Sequence, residues 1–166
     1  RNAVYLATLG HTVHAIDFST AGLNKTKALA AALGCADRVV CMQADITSNQ
    51  WLPECTATVD AVVMSFCHLL PADKPTVLEN VAGTLKPGGL LILECFHPDQ
   101  IAKGYKAKSG GPADPSMMYT LQELRSLLPA GGTELEAAEI EYELSEGAFH
   151  AGTGAVTRMV WRKASA

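Results

Sequence analysis

The chain has 166 residues, 48% of them hydrophobic and 18% charged, with 13 Lys and Arg against 17 Asp and Glu and a formal net charge of -4. That length predicts one compact domain over residues 1–166, with a real core, and is too short to promise a second. The acidic balance offers no basic face for a phosphate backbone, and no apolar run of about 18 residues spans a membrane, so neither nucleic acid nor lipid is the expected partner.

Residues 1–10, RNAVYLATLG, run into helical spacing from Arg1 with no capping residue ahead of it and stop at Gly10. HTVHAIDFS follows as a short strand ending in Asp17, and Ser19 is placed to cap a helix over TAGLNKTKALAAALG that Gly34 terminates. DRVVCMQADI predicts a second strand ending in Asp45. VDAVVMSFCHLL is nearly continuous in apolar residues, the pattern of a parallel strand buried on both faces. A helix over PADKPTVLENVAGTL, a tight turn at KPGG and a buried strand LLILECF complete three strand-helix units, which together predict a parallel α/β sheet.

HPDQIAKGYKAKSGGPADPSMMY then breaks the rhythm, with no sustained period. A segment of this kind is either a lid or binding loop, or partly disordered. TLQELRSLLP carries a capping box, Thr120 with Glu123 three residues on. The β-like runs TELEAAEIEYELSEG and GTGAVTRMVWRK, joined by EGAFHAG, predict an antiparallel hairpin.

Cys35, Cys41, Cys55, Cys67 and Cys95 form no CxxC and no Cys/His zinc spacing, so no metal site is expected and a reducing, cytoplasmic compartment is. In an open α/β sheet, ligands sit at the carboxyl ends of the strands, here Asp17, Asp45, Phe66 to His68 and Glu94 to His97. Asp17 suits a ribose diol; the alternative is an ordinary acid at a helix N-terminus. Asp45 either faces an adenine edge or closes an Asx-turn. His97 and the lysines Lys103, Lys106 and Lys108 either attract an anionic substrate or are solvated.

The order AIDFS, QADI, VDAVVMSFCHL, LKPGGLLILECF and a closing hairpin resembles a class I S-adenosylmethionine-dependent methyltransferase. RNAVYLATLGHTVHAIDFS is similar to the small bacterial tellurite-resistance (TehB-like) group of that superfamily. The resemblance covers nearly the whole chain and implies a Rossmann-like fold, mostly parallel, with a C-terminal antiparallel hairpin. It implies S-adenosyl-L-methionine as cofactor, S-adenosyl-L-homocysteine as product and a small-molecule methyl acceptor such as a thiol or chalcogen oxyanion. It further implies that Asp17 binds the ribose hydroxyls, with Phe18 beside the adenosyl group, and that Asp45 and Ile46 meet the adenine. Ser65, Phe66 and Cys67 would floor the space between cofactor and substrate. Arg1 and Asn2 match the residues following the family's glycine-rich loop. That loop and the strand before it have no counterpart in the sequence, so an N-terminally truncated form of the fold is expected.

Methyl transfer needs alignment above all, and a base only where the nucleophile must lose a proton. His68 and His150 are the candidates to contact substrate, each either a base near neutral pH or a structural residue. A Cys67–His68 dyad is disfavoured, because adjacent residues of a regular strand point to opposite faces. Two other readings stay open. One is a non-catalytic module on a degenerate methyltransferase fold. The other is a nicotinamide-dependent oxidoreductase, against which the LKPGG turn and the hairpin weigh.

Overall fold

The computed structural model describes residues 1–48, 51, 57–145 and 150–165. The chain divides into two compact units, Arg1–Glu54 and Cys55–Ala166. Each is built around its own apolar cluster.

The first unit runs α1 (Asn2–Thr8), β1 (Val13–Asp17), α2 (Thr20–Ala32), a 3-10 turn (Ala36–Arg38) and β2 (Val39–Gln43). Arg1 is the N-cap of α1 without a side-chain cap bond, and Gly10 ends the helix at φ 98°. Ser19 caps α2 as expected, its side chain accepting the Gly22 N–H at 3.1 Å. Gly34 takes the positive φ of 68° that lets the chain leave α2 and turn towards β2. β1 and β2 pair in parallel, Asp17 opposite Gln43. Val4, Ala7, Ala30 and Cys35 form the core, with Val13 and Val39 against it. Trp51, 5% exposed, donates its indole N–H to the Ile46 carbonyl at 3.2 Å.

The second unit holds β3 (Val59–Ser65), α3 (Lys74–Thr84), β4 (Leu85–Phe96), α4 (Asp99–Ala102), α5 (Lys106–Ser109), a 3-10 turn (Pro115–Met117), α6 (Leu121–Leu127), β5 (Thr133–Ser145) and β6 (Ala151–Arg162). Its sheet has the order β3-β4-β6-β5. β3 and β4 are parallel, whereas β6 is antiparallel to both β4 and β5, so the expected mixture of parallel strands and closing hairpin is present.

Three expectations change in detail. Met64 alone is buried along β3, and Val63 is 42% exposed. The apolar run therefore does not mark a strand covered on both faces: among the described residues β3 pairs only with β4 and forms the sheet edge. KPGG does turn the chain, with Gly88 at φ 77°, but inside β4: Val59 pairs with Leu85 and Ala61 with Leu90, so the intervening residues bulge out of the ladder. The Gly- and Pro-rich segment is ordered rather than loose. Fully buried Gln100 donates to Ser109 Oγ and the Gly110 carbonyl, each at 2.8 Å, and accepts the Ala155 N–H at 2.9 Å.

Alternation along β4 gives its two faces different fates. Leu91, Leu93 and Cys95 are at most 2% exposed, and α3 and α6 pack against the sheet. Ile92 on the other face is 38% exposed. Thr120 Oγ1 accepts the Glu123 N–H at 3.1 Å, the forward half of the capping box. The Glu123 carboxylate goes elsewhere, to Lys74 Nζ at 2.9 Å. Lys74 is 1% exposed; its ammonium also donates to the Ser116 and Met118 carbonyls at 2.8 and 2.6 Å and lies 4.4 Å from the centre of the Tyr119 ring. Trp161, 5% exposed, lies so close to Gly132 that a Cβ there would stand 2.1 Å from the ring.

Candidate active site

In the first unit, the acids expected to bind adenosine occupy the carboxyl ends of paired parallel strands. Asp17 closes β1 and its Oδ1 accepts the Ser19 N–H at 2.8 Å, which fixes the carboxylate over the start of α2. A Cβ at Gly22 would stand 3.3 Å from Asp17 Oδ2, so glycine leaves the space beside that oxygen open. Phe18, the next residue, is 78% exposed.

Asp45 lies two residues beyond β2. Its Oδ1 accepts both the Thr47 N–H at 2.9 Å and the Thr47 hydroxyl at 2.8 Å, forming the Asx-turn. These bonds, the backbone one first, hold its pKa below the ordinary carboxylate value, so the group is ionised at neutral pH. Ile46 is half-buried, its carbonyl taken by Trp51, while Arg1 and Asn2 are exposed at the start of α1.

In the second unit, β3 ends at Ser65, and Phe66 adopts a positive φ of 50° while its N–H donates to the Glu94 carbonyl at 2.7 Å. A non-glycine residue in this region carries about 1 kcal/mol or more of strain, and such strain gathers at functional sites. Because the strand stops there, the face-alternation argument against pairing Cys67 with His68 does not reach those two residues. Cys67 is half-buried, and its carbonyl accepts from Cys95 Sγ at 3.6 Å. Burial pushes the Cys95 thiol far above its usual pKa, leaving it an inert hydrophobe.

Four rings meet at this end of the sheet. The Phe66 centroid is 4.8 Å from that of Phe96, 5.9 Å from His150 and 6.3 Å from His68. Both imidazoles stack on Phe96, His68 at 5.5 Å and 11°, His150 at 6.3 Å and 7°. His68 Nε2 accepts the Phe96 N–H at 3.0 Å, which requires an unprotonated nitrogen. Burial lowers its pKa to about 4; a hydrogen bond with the Phe66 backbone opposes the shift, and the Lys74 and His150 charges add to it. His68 is thus neutral at pH 7 with its basic nitrogen engaged, which favours the structural one of the two roles open to it from the sequence. His150 Nδ1 is buried and, among the described residues, has no hydrogen-bond partner.

Local sequence gave no sign of a further triad. Tyr142 donates its hydroxyl to Glu94 Oε1 at 2.7 Å, Arg158 pairs with Glu94 Oε2, and the guanidinium lies 4.5 Å from the centre of the Tyr142 ring. Desolvation, then the Glu94 bond, raises the Tyr142 pKa to about 12. Glu94 and Arg158 line a shallow cavity of about 120 Å³ with Glu136. His97 Nδ1 accepts the Asp99 N–H at 3.1 Å. Lys103 is held by Asp99 and Glu141.

The sequence pattern of the methyltransferase domain matches residues 1–89. The chain belongs to the methyltransferase-domain family. No curated protein sequence matches this methyltransferase-domain chain. Among solved structures, it is similar to an S-adenosylmethionine-dependent methyltransferase from Methanosarcina mazei, with 16% identity and a TM-score of 0.74 over 98% of this chain and 87% of that one. It is also similar to TehB from Haemophilus influenzae, with 20% identity and a TM-score of 0.68 over 98% of this chain and 53% of that one. A structure tied to conversion of a disulfide bond into a thioacetal group in echinomycin biosynthesis shares 17% identity at a TM-score of 0.76, over 98% of this chain and 70% of that one. These likenesses are of fold, and they agree with a class I methyltransferase architecture. Among the described residues, no helix is long and apolar enough to cross a membrane.

Proposed function

We propose that residues 1–166 act as one TehB-like methyltransferase domain that transfers a methyl group from S-adenosyl-L-methionine to a small thiol or chalcogen acceptor. The observation that carries this reading is the Asp17–Phe18 pair at the carboxyl end of β1, a fixed carboxylate with an open side followed by an exposed ring. S-adenosyl-L-methionine supplies, when bound, an electrophilic methyl group on a sulfonium. Asp17 Oδ2 would accept from the ribose hydroxyls, and Phe18 would cover the adenosyl group. Asp45, ionised by its Thr47 bonds, and Ile46 would meet the adenine. Arg1 and Asn2 would serve the methionine end, and Ser65, Phe66 and Cys67 the floor.

His68 acts here through its neutral form, holding Phe96 in place, and His150 is the residue left to receive a proton. Free thiols at Cys35, Cys41 and Cys95 support a cytoplasmic setting. Cys55 lies outside the described residues. The test is calorimetric titration of S-adenosyl-L-homocysteine into the whole chain and into Asp17→Ala. We expect binding by the parent and a loss of roughly 1.5–3 kcal/mol in the variant, the scale of hydrogen bonds to a charged group. No binding by the parent overturns the reading, and an unchanged dissociation constant in a folded variant removes Asp17 from the site.

A further inference from the structure

The carboxyl end of β6 borders a second cavity, of about 210 Å³, whose wall includes Trp161. Trp161 pairs with Leu91, and Phe96 lies five residues further along the same ladder, roughly 17 Å away. Leu128 and Met159 give the cavity apolar walls, and Gly131 and Gly132 give it a side of bare backbone. At its rim Arg125 holds both oxygens of Glu134 through two bonds of 2.9 Å, so the pair is closed on itself. Trp161 is 5% exposed, and the nitrogen edge of its ring lies against Gly132, where a Cβ would stand 2.4 Å from Nε1. Trp51 gives its indole N–H to the Ile46 carbonyl, but among the described residues no atom accepts that of Trp161. Nor is Nε1 one of the side-chain atoms both sealed and unmet, which are Tyr119 Oη and His150 Nδ1. The Trp161 N–H therefore reaches accessible space, and the space beside its edge is the cavity. An indole N–H only donates, so what it lacks is an acceptor.

We propose that this cavity is a binding site for an uncharged, single-ring compound carrying one carbonyl oxygen, which accepts the Trp161 N–H while the ring packs on Leu128 and Met159. Size sets the first limit: an apolar cavity of about 150 Å³ takes one benzene ring, so this one holds a ring with a small substituent and no more. Charge sets the second. A charged ligand gains a counter-ion only by opening the Arg125–Glu134 pair and leaving its other half unmatched, whereas an uncharged one leaves the pair intact. The site acts on the fold rather than on the reaction. Residues 128–132 join α6 to β5, so a ring held among them fastens that connection and stabilises the second unit by mass action. It belongs to the second unit alone and stands whether or not the chain transfers methyl groups.

Acetophenone is the probe, compared with isopropenylbenzene, which has the same shape with a methylene in place of the oxygen, and with benzoate, which is charged. Each is titrated into the whole chain while the two indole N–H signals are followed by NMR, that of Trp161 being the one lost in Trp161→Phe. We expect acetophenone to move the Trp161 signal downfield to saturation, with a dissociation constant of about 1 mM or tighter, and to leave the Trp51 signal in place. Isopropenylbenzene and benzoate should bind at least fivefold more weakly. In Trp161→Phe, which keeps a ring and removes the donor, saturation-transfer signals should show acetophenone weakened at least fivefold and isopropenylbenzene unchanged within twofold. Leu128→Phe, which fills the cavity from its partly exposed side, should abolish the shift and serves as the test if Trp161→Phe does not fold. A shift that does not saturate, an equal shift at Trp51, equal binding of isopropenylbenzene or benzoate, or undiminished binding of acetophenone in either variant would each overturn the proposal.

Discussion

His68 shows what one side chain contributes when its proton is excluded by the fold. Its folded pKa of about 4 lies below the ordinary value of 6.5, so the unfolded chain binds a proton that the folded chain refuses between those two values. Stability is therefore complete above pH 6.5, falls as the pH drops towards 4, and levels off below that. A shift of this size corresponds to up to about 3 kcal/mol. Urea unfolding at a series of pH values should show that slope, and His68→Leu should abolish it. At pH 7 the same substitution should cost about 1–2 kcal/mol, because the Phe96 N–H loses its acceptor. A slope that survives in His68→Leu would assign the effect to another group. The imidazole was visible in the sequence as a candidate, but its partner, the Phe96 N–H, lies 28 residues away, so its protonation could not be read there.

At the level of elements, what was legible depended on how far the stabilising contact reaches. The Ser19 and Thr120 caps are satisfied within three residues, and both were evident in the sequence. Lys74 was not, since its partners at Ser116, Met118 and Glu123 are 42 to 49 residues on. That ammonium ties the first turn of α3 to the end of the Gly- and Pro-rich segment and to α6. It explains why a stretch with the composition of a loose loop is ordered. Lys74→Met keeps the bulk but strands two carbonyls and the Glu123 carboxylate, and should cost about 3 kcal/mol. Limited proteolysis should then cut near residues 104–115 much faster than in the parent; equal rates would show that Gln100 and Ser109 hold the segment alone. The exposure of β3 was equally hidden, for an apolar run looks the same whether a strand is central or at an edge. Asp17 and Asp45 were legible because each is the acid that ends a short apolar run.

For the molecule as a whole, protection should follow the depth of each sheet. β6 is flanked by β4 and β5, and its Val156 and Met159 are at most 2% exposed, whereas β1 and β2 form a two-stranded sheet with no buried residue. Two strands alone are marginal in water. Native-state hydrogen exchange should accordingly leave the β6 amides slowest and those of β1 and β2 among the fastest of the strand residues. Uniform protection across both sheets would show that the units open together. The two tryptophans of the chain fall one to each unit, Trp51 hydrogen-bonded in the first and Trp161 set against Gly132 in the second, both 5% exposed. Each half of the protein thus carries its own fluorophore. Trp51→Phe and Trp161→Phe would turn intrinsic emission into a separate report from either half, so that cooperativity between them becomes a quantity to be measured: two superimposable melting curves for a single transition, two displaced ones for a sequential loss of structure.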